Sequence, residues 1–305
     1  MKNSCFIIIL ALLSACSGEV NSQTKKEKVR YNNQIETAYW NDGKAEIATY
    51  ELMQNRYNEV YPGKLIAVFV TEDFLTDKQV KNERYQSDKS TKILKNIRLR
   101  KFTTGIYDYS MHTSVFTPLD RNKYNTLKVT NSMQEWCGTT FRQLNHKAGK
   151  YDLQIRSYFE SEGDKEMSLN EAIVEDELFN LLRIDPSLLP NGKFKMIPSL
   201  NTLSLKHKMP QVVNGYGEIT TYTDTLFEGQ DLMQYTYKIA AEKREVNLVF
   251  EKASPHKIVG FTEASPSIFD KTVRTTVAKL LAIKKLPYWE LHHPEDEKMR
   301  EELGL

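Results

Sequence analysis

From about residue 39 onward, apolar and polar positions alternate with a period of two, the pattern of strands that turn one face to a core. The clearest run spans residues 106–117. Tyr107, Tyr109, Met111, Thr113 and Val115 share one side of it, and the more polar set Ile106, Asp108, Ser110, His112, Ser114 and Phe116 shares the other. Leu65-Ile66-Ala67-Val68-Phe69-Val70 is instead a continuous apolar run after the turn signal Tyr61-Pro62-Gly63, which predicts a strand covered on both faces. Further strands are expected over 45–52, 93–103, 127–133, 139–144 and 153–160. Four more, over 218–227, 233–240, 245–251 and 257–263, recur at the spacing of an antiparallel meander.

Two stretches depart from this alternation. Ser168-Leu169-Asn170-Glu171 has the form of a capping box ahead of Val174, Leu178, Leu181 and Leu182 at helical spacing, so a helix is expected near 168–184, stopped by Pro186. Glu171, Glu175, Asp176 and Glu177 then form a solvated face at the positive end of its dipole. In the segment 266–305, Phe269, Val273, Val277, Leu280 and Leu281 fall on one stripe between Pro266 and Pro287, predicting a C-terminal helical segment packed on the sheet. The expected fold is α+β, mostly antiparallel β: a curved sheet over residues 37–265, an open barrel or half-barrel, with one or two packing helices.

The N-terminus follows a different rule. Lys2 precedes an unbroken apolar run from Phe6 to Leu13, which ends in Leu13-Ser14-Ala15-Cys16. The run is too short for a bilayer span of about 20 residues, and its flanks match a cleaved signal. Leucine and two small residues directly before a cysteine resemble the bacterial lipoprotein box, which implies that residues 1–15 are removed and that Cys16 carries the acyl chains holding the protein at a membrane. Residues 16–36, with Thr24-Lys25-Lys26-Glu27-Lys28, lack apolar periodicity and are expected to be a polar tether. With Cys5 in the signal and Cys16 acylated, Cys137 is the single remaining thiol, so no intramolecular disulfide forms. It is expected to be a buried or partly buried structural cysteine.

Length and charge narrow the function classes. The 305 residues are 40% hydrophobic and 27% charged, enough for a real core, and the net charge of +2 supplies no electrostatic case for nucleic acid. No cofactor motif is found: Gly215-Tyr216-Gly217 lacks the third glycine of a dinucleotide fingerprint, and neither a phosphate-cradling loop nor a G-x-S-x-G elbow occurs. Asp108, Ser110 and His112 share a face, but alternate strand residues lie about 6.5–7 Å apart and cannot form a triad. Cys137 with His112 is the candidate nucleophilic pair. Arg156, Tyr158 and Glu160, followed by Glu162 and Asp164, form a candidate polar cluster. Adjacent His292 and His293 point about 100° apart on a helix and make a poor chelate, so no metal site is assigned.

Several segments carry a family resemblance: Ala38-Tyr39-Trp40-Asn41-Asp42-Gly43-Lys44-Ala45-Glu46, Val70-Thr71-Glu72-Asp73-Phe74, Lys101-Phe102-Thr103-Thr104-Gly105-Ile106-Tyr107, Gln134-Glu135-Trp136-Cys137-Gly138 and Ser157-Tyr158-Phe159-Glu160-Ser161-Glu162-Gly163. Across most of the chain beyond the signal, the sequence resembles an uncharacterised lipoprotein family of Bacteroidota whose members often bear the label septum formation inhibitor Maf. Maf pyrophosphatases begin with a strand and an S-x-S-P-R-R loop. The nearest fragments, Ala253-Ser254-Pro255-His256 and Ala264-Ser265-Pro266-Ser267, lack both arginines. The resemblance therefore implies an envelope location and transfers no catalytic residue.

Together these features predict a lipid-anchored envelope protein, at the outer membrane and without enzymatic activity. It would bind an apolar or amphipathic ligand, or an envelope protein partner, through the face of Tyr107, Tyr109, Met111 and Val115 inside the curve of the sheet. A hydrolase using Cys137 or the Arg156 and Glu160 cluster is the alternative from another class, and a structural scaffold of a surface assembly is a third.

Overall fold

Consecutive antiparallel hairpins make up nearly all of this computed structural model, which describes residues 37–85 and 88–305. The expected signal, the tether and Cys16 lie outside the described residues. The first half of the chain forms β1 (Ala45–Arg56), β2 (Glu59–Leu75), β3 (Val80–Lys81), β4 (Ser90–Thr104), β5 (Tyr107–Pro118), β6 (Lys128–Glu135), β7 (Gly138–Lys147), β8 (Lys150–Ser157) and β9 (Lys165–Asn170). The second half forms β10 (Ile173–Val174), β11 (Gly192–Ile197), β12 (Val213–Thr221), β13 (Leu232–Ile239), β14 (Arg244–Glu251), β15 (Ile258–Pro266) and β16 (Val273–Leu286). Four short helices accompany them: α1 (Thr37–Trp40), α2 (Leu178–Ile184), α3 (Leu200–Leu205) and α4 (Lys298–Glu302).

All the strands join one sheet, in which each half is a meander and the two halves meet where β1 pairs with β16. The path ends at β9 and β10, which follow one another in sequence but do not pair, so the sheet is curved without being closed. Its edges are blunted in two ways: β10 is two residues long and pairs in parallel with β11, and β9 presents Lys165 and Glu166.

The sheet wraps around α2 and α3. Leu65, Phe69 and Leu94 from one side and Tyr237, Leu248 and Phe250 from the other meet Leu178, Leu181 and Leu182 in one apolar cluster. Val115, Val129, Leu144 and Leu153 close on Leu200 and Leu203 in a second. Every residue of both helices is buried. A helix enclosed on all sides cannot show the one-sided polarity that marks a surface helix.

Three expectations are corrected. The helix near 168–184 begins only at Leu178, because Ser168 and Leu169 belong to β9 and pair with β8, so the apparent capping box is strand sequence. The C-terminal helical segment over 266–305 is largely strand: Val273–Leu286 pairs with β1 and β15, and only Lys298–Glu302 is α-helical. Its apolar stripe is split between the two faces of the sheet, with Leu280 against the inner cluster and Val277 against Phe227, Val249 and Val259 outside. The strand expected at 218–227 runs over Val213–Thr221 instead.

Candidate functional site

The acidic run at the head of α2 is buried, contrary to the solvated face expected of it. Glu175, Asp176 and Glu177 form a 3-10 turn, and each meets an arginine from a different strand or loop. Glu175 receives Arg244, the Tyr237 hydroxyl at 2.8 Å and the Ser199 amide at 2.8 Å. Asp176 receives Arg98 at 2.7 Å, the Ser199 hydroxyl at 2.9 Å and the Leu200 amide at 2.8 Å. Glu177 receives Arg121 at 3.1 Å. Elsewhere inside, Glu46 pairs with Arg183, and Glu162 with Arg142 at 3.0 Å and His207 at 3.1 Å. Burial alone would raise the pKa of Glu175, but the Arg244 charge and the converging donors outweigh it and hold the carboxyl below its ordinary value. Glu162 is lowered in the same way: burial opposes, and hydrogen bonds from His207 and Ser157 with the charge of Arg142 prevail. These pairs tie the internal turns to the sheet, and their charges are spent on one another.

The expected ligand face is packed. Tyr109 and Met111 pack with Phe102, Met133 and Leu205, Val115 lies in the cluster around α3, and only Tyr107 keeps partial access to solvent. The Tyr109 hydroxyl accepts from Arg56 at 3.0 Å and bonds Tyr57 at 2.8 Å. Two cavities inside the curve measure about 30 and 40 Å³.

The other candidates do not assemble into a catalytic site. Cys137 is exposed in the β6 to β7 turn, a correction to the buried thiol expected. Its hydrogen bond to Glu135 and that carboxylate's charge raise its pKa, the opposite of an activated nucleophile. His112 lies on the outer face of β5, hydrogen-bonded to the Ser114 hydroxyl at 3.2 Å, and burial lowers its pKa. Arg156 pairs with Glu166 at 2.6 Å on the solvent side of β8 and β9, while Tyr158 and Glu160 are exposed in the turn beyond. The buried member of that stretch is Glu162. Among the described residues no cluster of metal-ligating side chains is found, and no helix is long and apolar enough to cross a membrane.

What sequence reasoning missed lies at one end of the sheet. Because neighbouring strands run in opposite directions, the turns after β1, β4, β6, β8 and β15 all emerge at the same rim. Turns are normally polar, yet these carry Ile106 at 82% exposure, Trp136 at 69%, Tyr158 at 77% and Phe269 at 55%. They form a continuous arc. Phe269 lies 5.3 Å from Tyr57 between ring centroids, Tyr57 bonds Tyr107 through their hydroxyls, and Tyr107 lies 6.2 Å from Trp136. Beyond the same turn the Tyr158 ring lies against the Gly138 backbone, where an added Cβ would stand 2.7 Å from it. Phe159 and His207 continue the arc at 4.4 Å. The readable signal was a large apolar residue within two positions of a glycine inside a hairpin turn, as in Gly105-Ile106 and Trp136-Cys137-Gly138.

The opposite end holds a wider cleft of about 620 Å³, bordered by Asn41, Lys44, Lys81 and Trp289. Its acids are already paired, Glu72 with Lys95 at 2.6 Å and Asp73 with Lys92 at 3.2 Å.

No family model matches the chain, and no curated protein matches it. Among solved structures it is similar to a β-barrel-like protein of a domain of unknown function, DUF1849, from Brucella abortus, at 8% sequence identity and a TM-score of 0.40, over 79% of this chain and 98% of that one.

Proposed function

We propose that this protein is a lipid-anchored envelope lipoprotein of the outer membrane. It is held by acyl chains on Cys16 and works without catalysis, binding an amphipathic ligand or the apolar segment of an envelope partner. The observation that carries this reading is the aromatic rim. Tyr and Trp join an apolar body to a polar tip and suit a surface where apolar and wet regions meet, and a run of exposed apolar turns marks an interaction site. The ligand lies on the rim, not inside the curve as the alternation of β5 first indicated. Pockets for whole small molecules measure about 300–1,000 Å³, far above the 30 and 40 Å³ found within. Against a hydrolase stand the raised pKa of Cys137 and the place of His112, which pairs with Ser132, five positions before Cys137.

The test has two parts. Cys16→Ala is expected to abolish labelled palmitate incorporation and release the chain from the membrane fraction; retained labelling removes the anchor from the proposal. The full chain purified from membranes is then compared with Trp136→Ala and Tyr158→Ala for co-purifying amphiphile by mass spectrometry. Loss in the variants is expected, and equal loading in all three removes the rim.

A further inference from the structure

At the end of the sheet opposite the rim, the cleft of about 620 Å³ is assembled from separate parts of the chain. Thr71 Oγ1 donates to the Trp40 carbonyl at 2.7 Å and so ties α1, and the turn that follows it, to β2. β3 folds back on β2 by pairing Val80 with Leu75 and Lys81 with Phe74. Trp289 comes from the 3-10 turn after β16, where the Tyr288 ring stands edge-on to it at 5.4 Å between centroids. Trp289 is 46% exposed, and Tyr85, just past β3, is exposed as well. Two large rings therefore border a cleft whose other walls are mostly polar.

The charges of those walls are mixed and already paired. Lys92 donates to both oxygens of Asp73, at 3.2 and 3.3 Å, and Glu72 accepts from Lys95 at 2.6 Å with Lys81 4.0 Å away. An anion entering the cleft meets Glu72 and Asp73, and a cation meets Lys81 and Lys92, so each faces its like as well as its opposite. An aliphatic chain would desolvate both pairs and replace none of their hydrogen bonds. Other lining groups are unsatisfied. The Asn41 amide and the Lys44 ammonium form no hydrogen bond with any described residue, and neither does the indole N–H of the buried Trp40.

We propose that this cleft binds a short neutral saccharide, a second ligand distinct from the amphiphile of the rim. A pyranose ring presents both surfaces that the lining complements. Its face of weakly positive C–H bonds lies on the negative face of an aromatic ring, here Trp289. Its hydroxyls each donate and accept, so they donate to the free lone pairs of Asp73 and Glu72 and accept from Asn41 and Lys44 while the existing ion pairs stay in place. The volume falls within the range of about 300–1,000 Å³ typical of small-molecule sites. The cleft and the rim lie at opposite ends of the sheet, so the failure of one reading leaves the other standing.

The test is binding of the full chain to an array of neutral oligosaccharides of glucose, galactose, mannose and N-acetylglucosamine, with heparin and polygalacturonate alongside. Retention on at least one neutral oligosaccharide is expected, and the best retained is then titrated calorimetrically. Trp289→Ala and Asp73→Asn, made singly, are each expected to weaken it on the order of tenfold, the scale of one aromatic stack or one hydrogen bond to a charged group. Both positions are at the surface, so thermal unfolding midpoints are expected to stay near that of the wild type. Retention on no neutral oligosaccharide overturns the proposal, and retention on the acidic polymers alone overturns the neutral class. Affinity unchanged in both variants overturns the assignment to this cleft.

Discussion

Glu175 and Arg244, 69 positions apart in sequence, meet side by side inside the sheet, with Arg244 Nη1 2.5 Å from Glu175 Oε1 and Nη2 facing the other carboxylate oxygen. This pair fixes the turn at the head of α2 to β14. Removing one partner strands the other charge in the interior. Arg244→Met is expected to cost about 3–5 kcal/mol, and Glu175→Met with Arg244→Met together to recover part of that loss. Urea unfolding of the wild type and the two variants checks the order.

The same chemistry sets the acid limit of the fold. Glu175 and Glu162 have pKa values below the ordinary 4.5 in the folded state. The unfolded chain therefore binds these protons more readily, and the stability they contribute is full above about 4.5 and lost as pH falls through the lowered values. Unfolding midpoints between neutral pH and about pH 3 are expected to drop over that window. Glu162→Gln is expected to flatten the drop. An unchanged profile in the variant would show that Glu162 does not drive it.

Core and rim separate cleanly on β5 and its turn. Tyr109→Ala removes a fully buried ring and is expected to cost about 3–5 kcal/mol, and Met111→Ala about 2–5 kcal/mol. Ile106→Ala, one turn residue away but open to solvent, is expected to stay within about 0.5 kcal/mol. Chemical denaturation of the three variants distinguishes a face that holds the fold from a surface kept for contact.

Cys137 provides a check on the outer turn. Glu135 raises its pKa above the ordinary 9.0, so the exposed thiol is expected to alkylate slowly at neutral pH and Glu135→Gln to speed it. Mass-resolved alkylation rates decide this. A rate unaffected by the substitution would show that the carboxylate does not control the thiol.

Much of the sheet was legible because one face of most strands is buried. The alternation around Tyr109 and Met111 located β5 within a residue at either end, and residues 93–103 located β4 almost as well. Such periodicity fails where both faces are covered or where an element lies wholly inside. Val273, Val277 and Leu280 suit a helical stripe as readily as a strand, and nothing local reports that β16 lies between β1 and β15. Glu175, Asp176 and Glu177 resemble a dipole-stabilising face because Arg244, Arg98 and Arg121 are remote in sequence and adjacent only after the sheet has curled. Trp136 and Tyr158 were visible as residues, but their shared rim depends on strand direction, which single positions do not encode.

The pairing of β1 with β16, with the break falling between β9 and β10, makes the described chain a ring of hairpins whose opening is not at its ends. Its first and last strands run side by side, Ala45 opposite Leu286, and the seam sits at residues 171–172 in the middle of the sequence. A circular permutant with its ends joined and its new termini at that seam would therefore cut no strand ladder. Where the polypeptide starts is, for this architecture, not dictated by the pairing of its strands.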